Sequence, residues 1–567
     1  MSQKKISRKD FLKLGGAGLG AVALGTMAPR VGGHFARSAE SGDRPNILFI
    51  TVDQLHSLVD LPEKLPLPTF WRLEREGRSF TNYHVHLAPC GPSRSVIYTG
   101  QYSQKTGMYT NPPGEYAELP EGYPANQLSP DFPTIGKMLR EAGYYTAYKG
   151  KWHLSLINQS ARTKAGVAYP RTEDSLEPYG FSDYNFDGEQ SGMTWVGFGH
   201  DGQLAADSVE LLNNFAKGRT KGKPWFFAVN FINPHDIMFY EEPDPNSGEK
   251  RPPTGFGVRK EPPLTPLYEK AWNFPLPKSL YEDDLSTKPA AQRRSAGPAA
   301  SEELTPSVIA SWQEYQDYYF NCIRDVDRHI ALVLDSLEKF GLADNTVVIV
   351  TSDHGEMGGA HRLKGKGAYI YKECLRVPLI VRHPRTKGGK ATDALAGSVD
   401  LVPTLLSFAG LGAAERAGKY PYLHGVDLGP AIMKAGAQTD RDSRGILFDY
   451  MTPGFAPAGK TIAEIEGRNL IRGVFDGRYK FGRYFRPAEH HTPKDWETLV
   501  AHNDLELYDT EKDPDELVNL ALKPEDYRDL ILSLNAKVNA LIAKEVGEDD
   551  GSVYPGPVAQ YMLKSAG

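Results

Sequence analysis

At 567 residues, with 40% hydrophobic and 24% charged side chains, the chain has material for more than one core, and two domains are the natural expectation. A formal net charge of -6 provides no basic field, which argues against nucleic acid as a partner. The three cysteines, Cys90, Cys322 and Cys374, lack the pair spacing of a zinc cluster or a disulfide framework, so a thiol kept for chemistry fits the count.

In chain order, residues 1–39 do not read as fold. Ser7-Arg-Lys-Asp-Phe-Leu-Lys13 precedes a glycine-diluted apolar run over 14–28, the pattern of a twin-arginine export signal with lysine in place of the second arginine. The run is short for spanning a membrane, and Ala36 and Ala39 both suit cleavage. The expected location is periplasmic or extracellular, with the twin-arginine export machinery as a partner and no transmembrane segment after cleavage.

Four apolar runs of strand length each end in polar residues able to do chemistry. They are 47–52, followed by Asp53-Gln54; 144–148, followed by Lys149-Gly-Lys-Trp-His153; 225–232, followed by Asn233-Pro-His235-Asp236; and 346–351, followed by Ser352-Asp353-His354-Gly355. Helical patterns precede two of them, at 133–142 and 311–340, the second closed by Gly341. Continuous apolar runs alternating with amphipathic helices predict buried parallel strands, and ligands bind beyond the carboxyl ends of such strands. Asp53, Lys151, His153, His235, Asp353 and His354 are therefore expected on one edge. Asp53 and Asp353, with the amide oxygen of Gln54, form a hard oxygen-rich cup for one divalent cation, calcium first, while the His354 nitrogen suits manganese, zinc or iron.

Between the first two runs, Ala88-Pro-Cys-Gly-Pro-Ser-Arg-Ser95 sets a thiol at the mouth of a predicted helix, where free N–H groups and the dipole favour an anion. Most lone cysteines are packing residues; Cys90 is distinguished by the company of the other polar strand ends.

Residues 240–306 turn proline-rich with mixed charge and read as a surface insertion over the active edge, a place for substrate selection or an uninvolved ordered loop. After 377–381 and 399–406 the alternation ends near Gly410. The stretch 473–481 carries an Asp-Gly turn between β-like arms, and 505–508 precedes a helix-like run to about Ile542. The expected class is α/β: a large mixed, mostly parallel sheet sandwiched by helices over 40–410. A smaller C-terminal α+β domain, antiparallel sheet plus helix, is expected over 411–567.

Pro45-Asn-Ile-Leu-Phe49, Cys90-Gly-Pro-Ser-Arg94 with Tyr98-Thr-Gly100 and Gly107, Gly150-Lys-Trp-His153, Asn233-Pro-His235, Thr351-Ser-Asp-His-Gly355, Lys366-Gly367, Arg376-Val-Pro-Leu379, Leu507-Tyr-Asp509 and Asp513-Pro514 follow one another in the order of a known family. Taken together, from 45 nearly to 520, they resemble the sulfatases of the alkaline phosphatase superfamily. The resemblance implies that Cys90 is converted by a formylglycine-generating maturation enzyme to formylglycine, whose hydrate has one hydroxyl on a metal held by Asp53, Gln54, Asp353 and His354. It implies that Arg94 and Lys151 hold the formylglycine, Lys366 neutralises the sulfuryl oxygens, and His235 with Lys366 protonates the departing alkoxide. His153 would take the proton that expels sulfate. The implied substrate is a sulfate ester, carbohydrate first. Lys364 competes with Lys366 for its role, and His84, His86, His361 and the pair His490-His491 carry no assigned chemistry. Two other readings stand beside this one: a phosphonate monoester or phosphodiester hydrolase of the same superfamily, and an inactive sulfated-glycan-binding protein with Cys90 unmodified.

Overall fold

The nine strands of the N-terminal part are β1 (Asn46–Val52), β2 (Arg78–Phe80), β3 (Tyr83–His84), β4 (Tyr145–Gly150), β5 (Trp225–Phe231), β6 (Thr346–Ser352), β7 (Leu379–Arg382), β8 (Lys390–Thr392) and β9 (Ala396–Gly397) among the described residues. The computed structural model describes residues 44–112, 127–155, 174–185, 194–240, 261–451, 467–486, 489 and 492–547. The export signal read at 1–39, residues 241–260 of the proline-rich stretch, and His490-His491 lie outside them.

Seven strands form one sheet in the order β4-β5-β1-β6-β7-β2-β8, and β3 pairs with β9 apart from it. The four long apolar runs are the adjacent parallel strands β4, β5, β1 and β6. β7 runs against both of its neighbours, and β2 and β8 are parallel. β5 and β6 are buried at every residue and β1 at all but its first, so both sheet faces are covered and no strand needs a polar side.

The covering helices are α1 (Pro68–Glu76), α2 (Cys90–Thr99), α3 (Ile135–Glu141), α4 (Val196–Ala216), α5 (Pro306–Lys339) and α6 (Leu401–Phe408). α1 and α4 pack on α5 as one set; α2, α3 and α6 pack together as another. α5 begins five residues before the sequence pattern suggests. Thr305 accepts the Val308 N–H at 3.3 Å and Pro306 occupies the first turn, a start signal outside the apolar stripe. α4 has no counterpart in the sequence reading, because Gly197, Gly199 and Gly202 dilute its first half and its buried face mixes Val196, Leu204, Leu211, Leu212 and Phe215 with the polar Asp201 and Ser208.

The C-terminal part is an antiparallel sheet of β10 (Ile446–Tyr450), β11 (Leu470–Phe475), β12 (Tyr479–Phe485) and β13 (Asp504–Asp509), in sequence order. The expected Asp-Gly turn joins β11 to β12. The Asp476 carboxylate accepts the N–H groups of Arg478 and Tyr479 at 3.0 and 2.7 Å, and Gly477 takes φ +106°. α7 (Arg528–Leu541) packs on β11 and β12. The expected fold class is thus present.

The stretch 261–306 holds short helices at Lys278–Glu282 and Ala290–Ala296. Leu276 and Leu280 pack with Val308 and Trp312 of α5, and Gln292 Nε2 donates to the Tyr484 hydroxyl at 3.0 Å and Glu506 Oε2 at 2.8 Å. This stretch therefore bridges α5 and the C-terminal sheet. Among the described residues no helix is long and apolar enough to cross a membrane.

Candidate active site

Strand register brings the polar ends together. Val52 of β1 lies opposite Phe231 of β5 and Ser352 of β6, so Asp53 and Asp353 leave adjacent strands side by side. Gly150 of β4 lies opposite Asn230, which puts Lys151 next along the same edge. α2 opens on Cys90 toward this edge. A Cβ added at Gly91 would stand 3.0 Å from Pro112 Cδ and 3.1 Å from the His153 carbonyl oxygen, so the turn into the helix is closely packed there. Asn111 Oδ1 accepts the Gly91 N–H at 2.8 Å, and the Ser93 hydroxyl donates to the Asp353 carbonyl, fastening the helix start to the end of β6.

One ligand atom each from Asp53, Cys90, Asp353 and His354 falls within 4.8 Å of the others, and all four residues are buried. His354 Nε2 is 3.0 Å from Cys90 Sγ, 3.6 Å from Asp53 Oδ1 and 3.8 Å from Asp353 Oδ1. His354 Nδ1 is 2.9 Å from the Gly355 carbonyl oxygen, which only accepts; Nδ1 therefore carries a proton and Nε2 turns its lone pair inward when the ring is neutral. Burial and Lys366 disfavour the imidazolium, yet Asp353 and Cys90 outweigh them and raise the His354 pKa above its usual value. Two carboxylates with an imidazole nitrogen are a donor set that fits a divalent cation.

Gln54 takes a left-handed backbone (φ 68°), donates its N–H to Asp353 Oδ1 at 3.2 Å and accepts Lys366 Nζ on Oε1 at 2.7 Å. Lys151 Nζ stands 2.6 Å from Asp53 Oδ2. Burial raises the Asp53 carboxyl, but Lys151, His235, Lys366 and His354 together hold it well below the usual range. The Cys90 thiol feels burial and Asp53 pushing up, and Lys151, Lys366 and His354 pulling down; the cations prevail and its pKa is lowered.

Arg94 is fully buried, and its guanidinium grips the frame of the site. Nη1 is 3.2 Å from Asp353 Oδ2, Nε donates to the Trp152 carbonyl at 3.0 Å, and Nη2 reaches Asn230 Oδ1 at 2.6 Å, the Tyr148 hydroxyl at 3.2 Å and the Lys151 carbonyl. His153 is buried with φ 58°, and His235 is half-buried one strand away, after β5. Burial and the Lys151 charge lower both imidazoles well below the ordinary value, with Asp53 opposing. Of the two competing lysines, Lys366 faces Gln54, whereas Lys364 Nζ lies over the rings of Trp312 and Tyr315 at 4.3 and 5.0 Å.

The sequence reading missed three residues. Asn230 accepts from Arg94 and, at 2.7 Å, from the Tyr98 hydroxyl; a lone amide inside an otherwise apolar buried strand is the signal that marks it. Tyr148 looks like another core aromatic, and Glu356 sits two residues past His354 without a motif of its own. His84, His86 and His361 are buried elsewhere. His86 Nδ1 meets the Leu447 carbonyl at 2.6 Å, His84 lies against Phe448 and Phe475, and His361 Nδ1 meets Asp283 Oδ2 at 2.7 Å.

The Sulfatase family model matches residues 45–411, the span that supplies every residue of this edge. The chain belongs to the sulfatase family. It is a sulfuric ester hydrolase of the α/β class described above. An N-acetylglucosamine-6-O-sulfatase of Bacteroides thetaiotaomicron is 25% identical over 547 residues, an alignment that covers 86% of this sulfatase and 84% of the relative. Among solved structures, a 2-O GAG sulfatase aligns with TM-score 0.62 at 22% identity, covering 91% of this chain and 96% of the other. A phosphonate monoester hydrolase from Silicibacter pomeroyi shares the fold at TM-score 0.59 and 20% identity, covering 90% and 96%.

Proposed function

We propose that this sulfatase hydrolyses the sulfate ester of a sulfated carbohydrate to the alcohol and inorganic sulfate, with Cys90 matured to formylglycine. The observation that carries the reading is the convergence of Asp53, Cys90, Asp353 and His354 within 4.8 Å at the carboxyl edge of the sheet. The carbohydrate is supported by the names of the N-acetylglucosamine-6-O-sulfatase and the 2-O GAG sulfatase that the chain resembles.

Asp53, Gln54, Asp353 and His354 would hold one divalent cation, calcium first, which together with the matured residue supplies the nucleophile and polarises the sulfuryl group. Lys151 and Lys366 flank Cys90 closely enough to lower its pKa, which is where charge on the sulfuryl oxygens must be met. Arg94 holds Asp353 and the 148–152 segment in place rather than reaching over the reacting group. His153, kept neutral by burial and Lys151, is ready to take a proton. His235 is half-buried at the open side, and an entering sulfate ester adds negative charge beside it and favours the protonated ring that serves a departing alkoxide. The reading also includes export by the twin-arginine route to the periplasm or beyond, on the pattern at 1–39.

The test is the mass of the peptide containing Cys90 after co-expression with a formylglycine-generating enzyme, together with release of sulfate from glucosamine sulfates. An aldehyde or its hydrate with sulfate release is expected; an unmodified thiol where a control sulfatase is converted overturns the reading and favours the inactive glycan-binding protein. The phosphonate monoester hydrolase shares the fold and supports a second reading. Competing turnover of 4-nitrophenyl sulfate and a phosphonate monoester separates them, the sulfate being the expected better substrate.

A further inference from the structure

Glu356 is a fully buried carboxylate that the proposed chemistry leaves without a part. Its four partners are all donors: Gln54 Nε2 at 2.5 Å, the Tyr315 hydroxyl at 2.9 Å, and the N–H groups of Gly358 and Gly365 at 3.0 and 2.7 Å. A carboxylate in such a setting only accepts. The Gln54 amide therefore turns Nε2 toward Glu356, and Oε1 is obliged to face the other way, where it accepts Lys366 Nζ.

The Gln54 main chain is held independently. Its N–H goes to Asp353 and its carbonyl accepts the Tyr319 hydroxyl at 2.8 Å. Tyr315 and Tyr319 are one turn apart on α5, so a single helix face steadies both the carboxylate and the residue it orients. The Gly365 amide precedes Lys366 directly, which ties the same carboxylate to the loop that delivers the ammonium.

We infer that Glu356 is a positioning residue that dictates which Gln54 atom faces the cation site and where the Lys366 ammonium stands. The inference rests on the proposed cation site. An amide in place of this carboxylate is nearly isosteric and still accepts from Tyr315 and the two glycines through its oxygen. It presents an NH₂ group to Gln54, however, which reverses the Gln54 amide and points N–H groups at Lys366 and the cation. The double change Gln54→Glu with Glu356→Gln restores a donor facing an acceptor and again offers an oxygen to Lys366.

The experiment titrates calcium, then manganese, calorimetrically into chelator-treated full-length protein, and measures kcat and KM on 4-nitrophenyl sulfate with the matured protein. Glu356→Gln is expected to weaken cation binding and lower kcat by about 10- to 100-fold each, the scale on which partners of metal ligands act. The double variant is expected to recover most of both, which a loss of packing alone would not do. Glu356→Gln with parental affinity and kcat, or a double variant no better than Glu356→Gln, overturns the inference while the sulfatase reading stands. A parent that neither binds a cation nor turns over the ester removes both. Should Glu356→Gln fail to fold, Tyr315→Phe takes its place: a fall of about three- to five-fold in cation affinity is expected from one lost hydrogen bond, and an unchanged affinity overturns the inference.

Discussion

Two clusters of buried charge in this molecule look alike in composition and differ in how their lone pairs are used. One is the active edge. The other is the seam where 261–306 meets the C-terminal sheet, and there every charge is answered locally. Asp283 faces Lys288 at 3.4 Å and His361 at 2.7 Å, Lys288 also reaches the carbonyls of Glu516 and Leu517, and Glu516 pairs with Lys480. Glu506 accepts from Gln292, Tyr484 and Tyr508. At the active edge, by contrast, two carboxylates, a thiol and an imidazole nitrogen point at one small volume, within 4.8 Å of one another. Burial and charge alone do not mark a reaction centre; convergent lone pairs do.

The largest test of that contrast removes members of the convergent set. Cys90→Ala and Asp353→Asn are each expected to cut turnover of a sulfate ester by on the order of 10³-fold or more, with far-ultraviolet dichroism unchanged. Normal turnover in either folded variant would sink the site. Next comes His235→Ala, which should slow release of a sugar alkoxide by about 10²–10⁴-fold and a nitrophenolate much less. Equal losses on the two leaving groups would remove it as the proton donor.

The seam should respond in the opposite way. Lys480→Met strands the buried Glu516 carboxylate and is expected to lower unfolding stability by roughly 3–5 kcal/mol in denaturant titration, while kcat per folded molecule stays at the parental value. A loss of kcat without a loss of stability would erase the distinction. The smallest effect is in pH. Burial raises the Glu516 carboxyl, but Lys480 and Lys372 hold it below its usual value. Its contribution is therefore complete above the unfolded glutamate value of about 4.3 and fades as pH falls through the lower folded value. The stability gap between parent and Glu516→Gln should be full near neutrality and close in acid; a gap that widened in acid would reverse the assignment.

The apolar runs before Asp53, Lys151, His235 and Asp353 made the sheet and its reactive edge legible, because a strand buried on both faces has no other way to be written. The ordered motifs from Pro45 to Pro514 made the family legible. The sequence by itself thus determined the strand ends, the thiol at a helix mouth and the hairpin at Asp476-Gly477. The resemblance in sequence already favours Lys366 over Lys364, and the tertiary structure adds the reason: Lys366 reaches Gln54 while the rings of Trp312 and Tyr315 capture the other ammonium. The tertiary structure alone showed Arg94 bracing Asp353, and Glu356 turning the Gln54 amide, because those contacts join residues more than 250 positions apart and leave no local pattern. Spacing along the chain encodes what one strand or helix must do; which atom faces which across the site is set by packing between them.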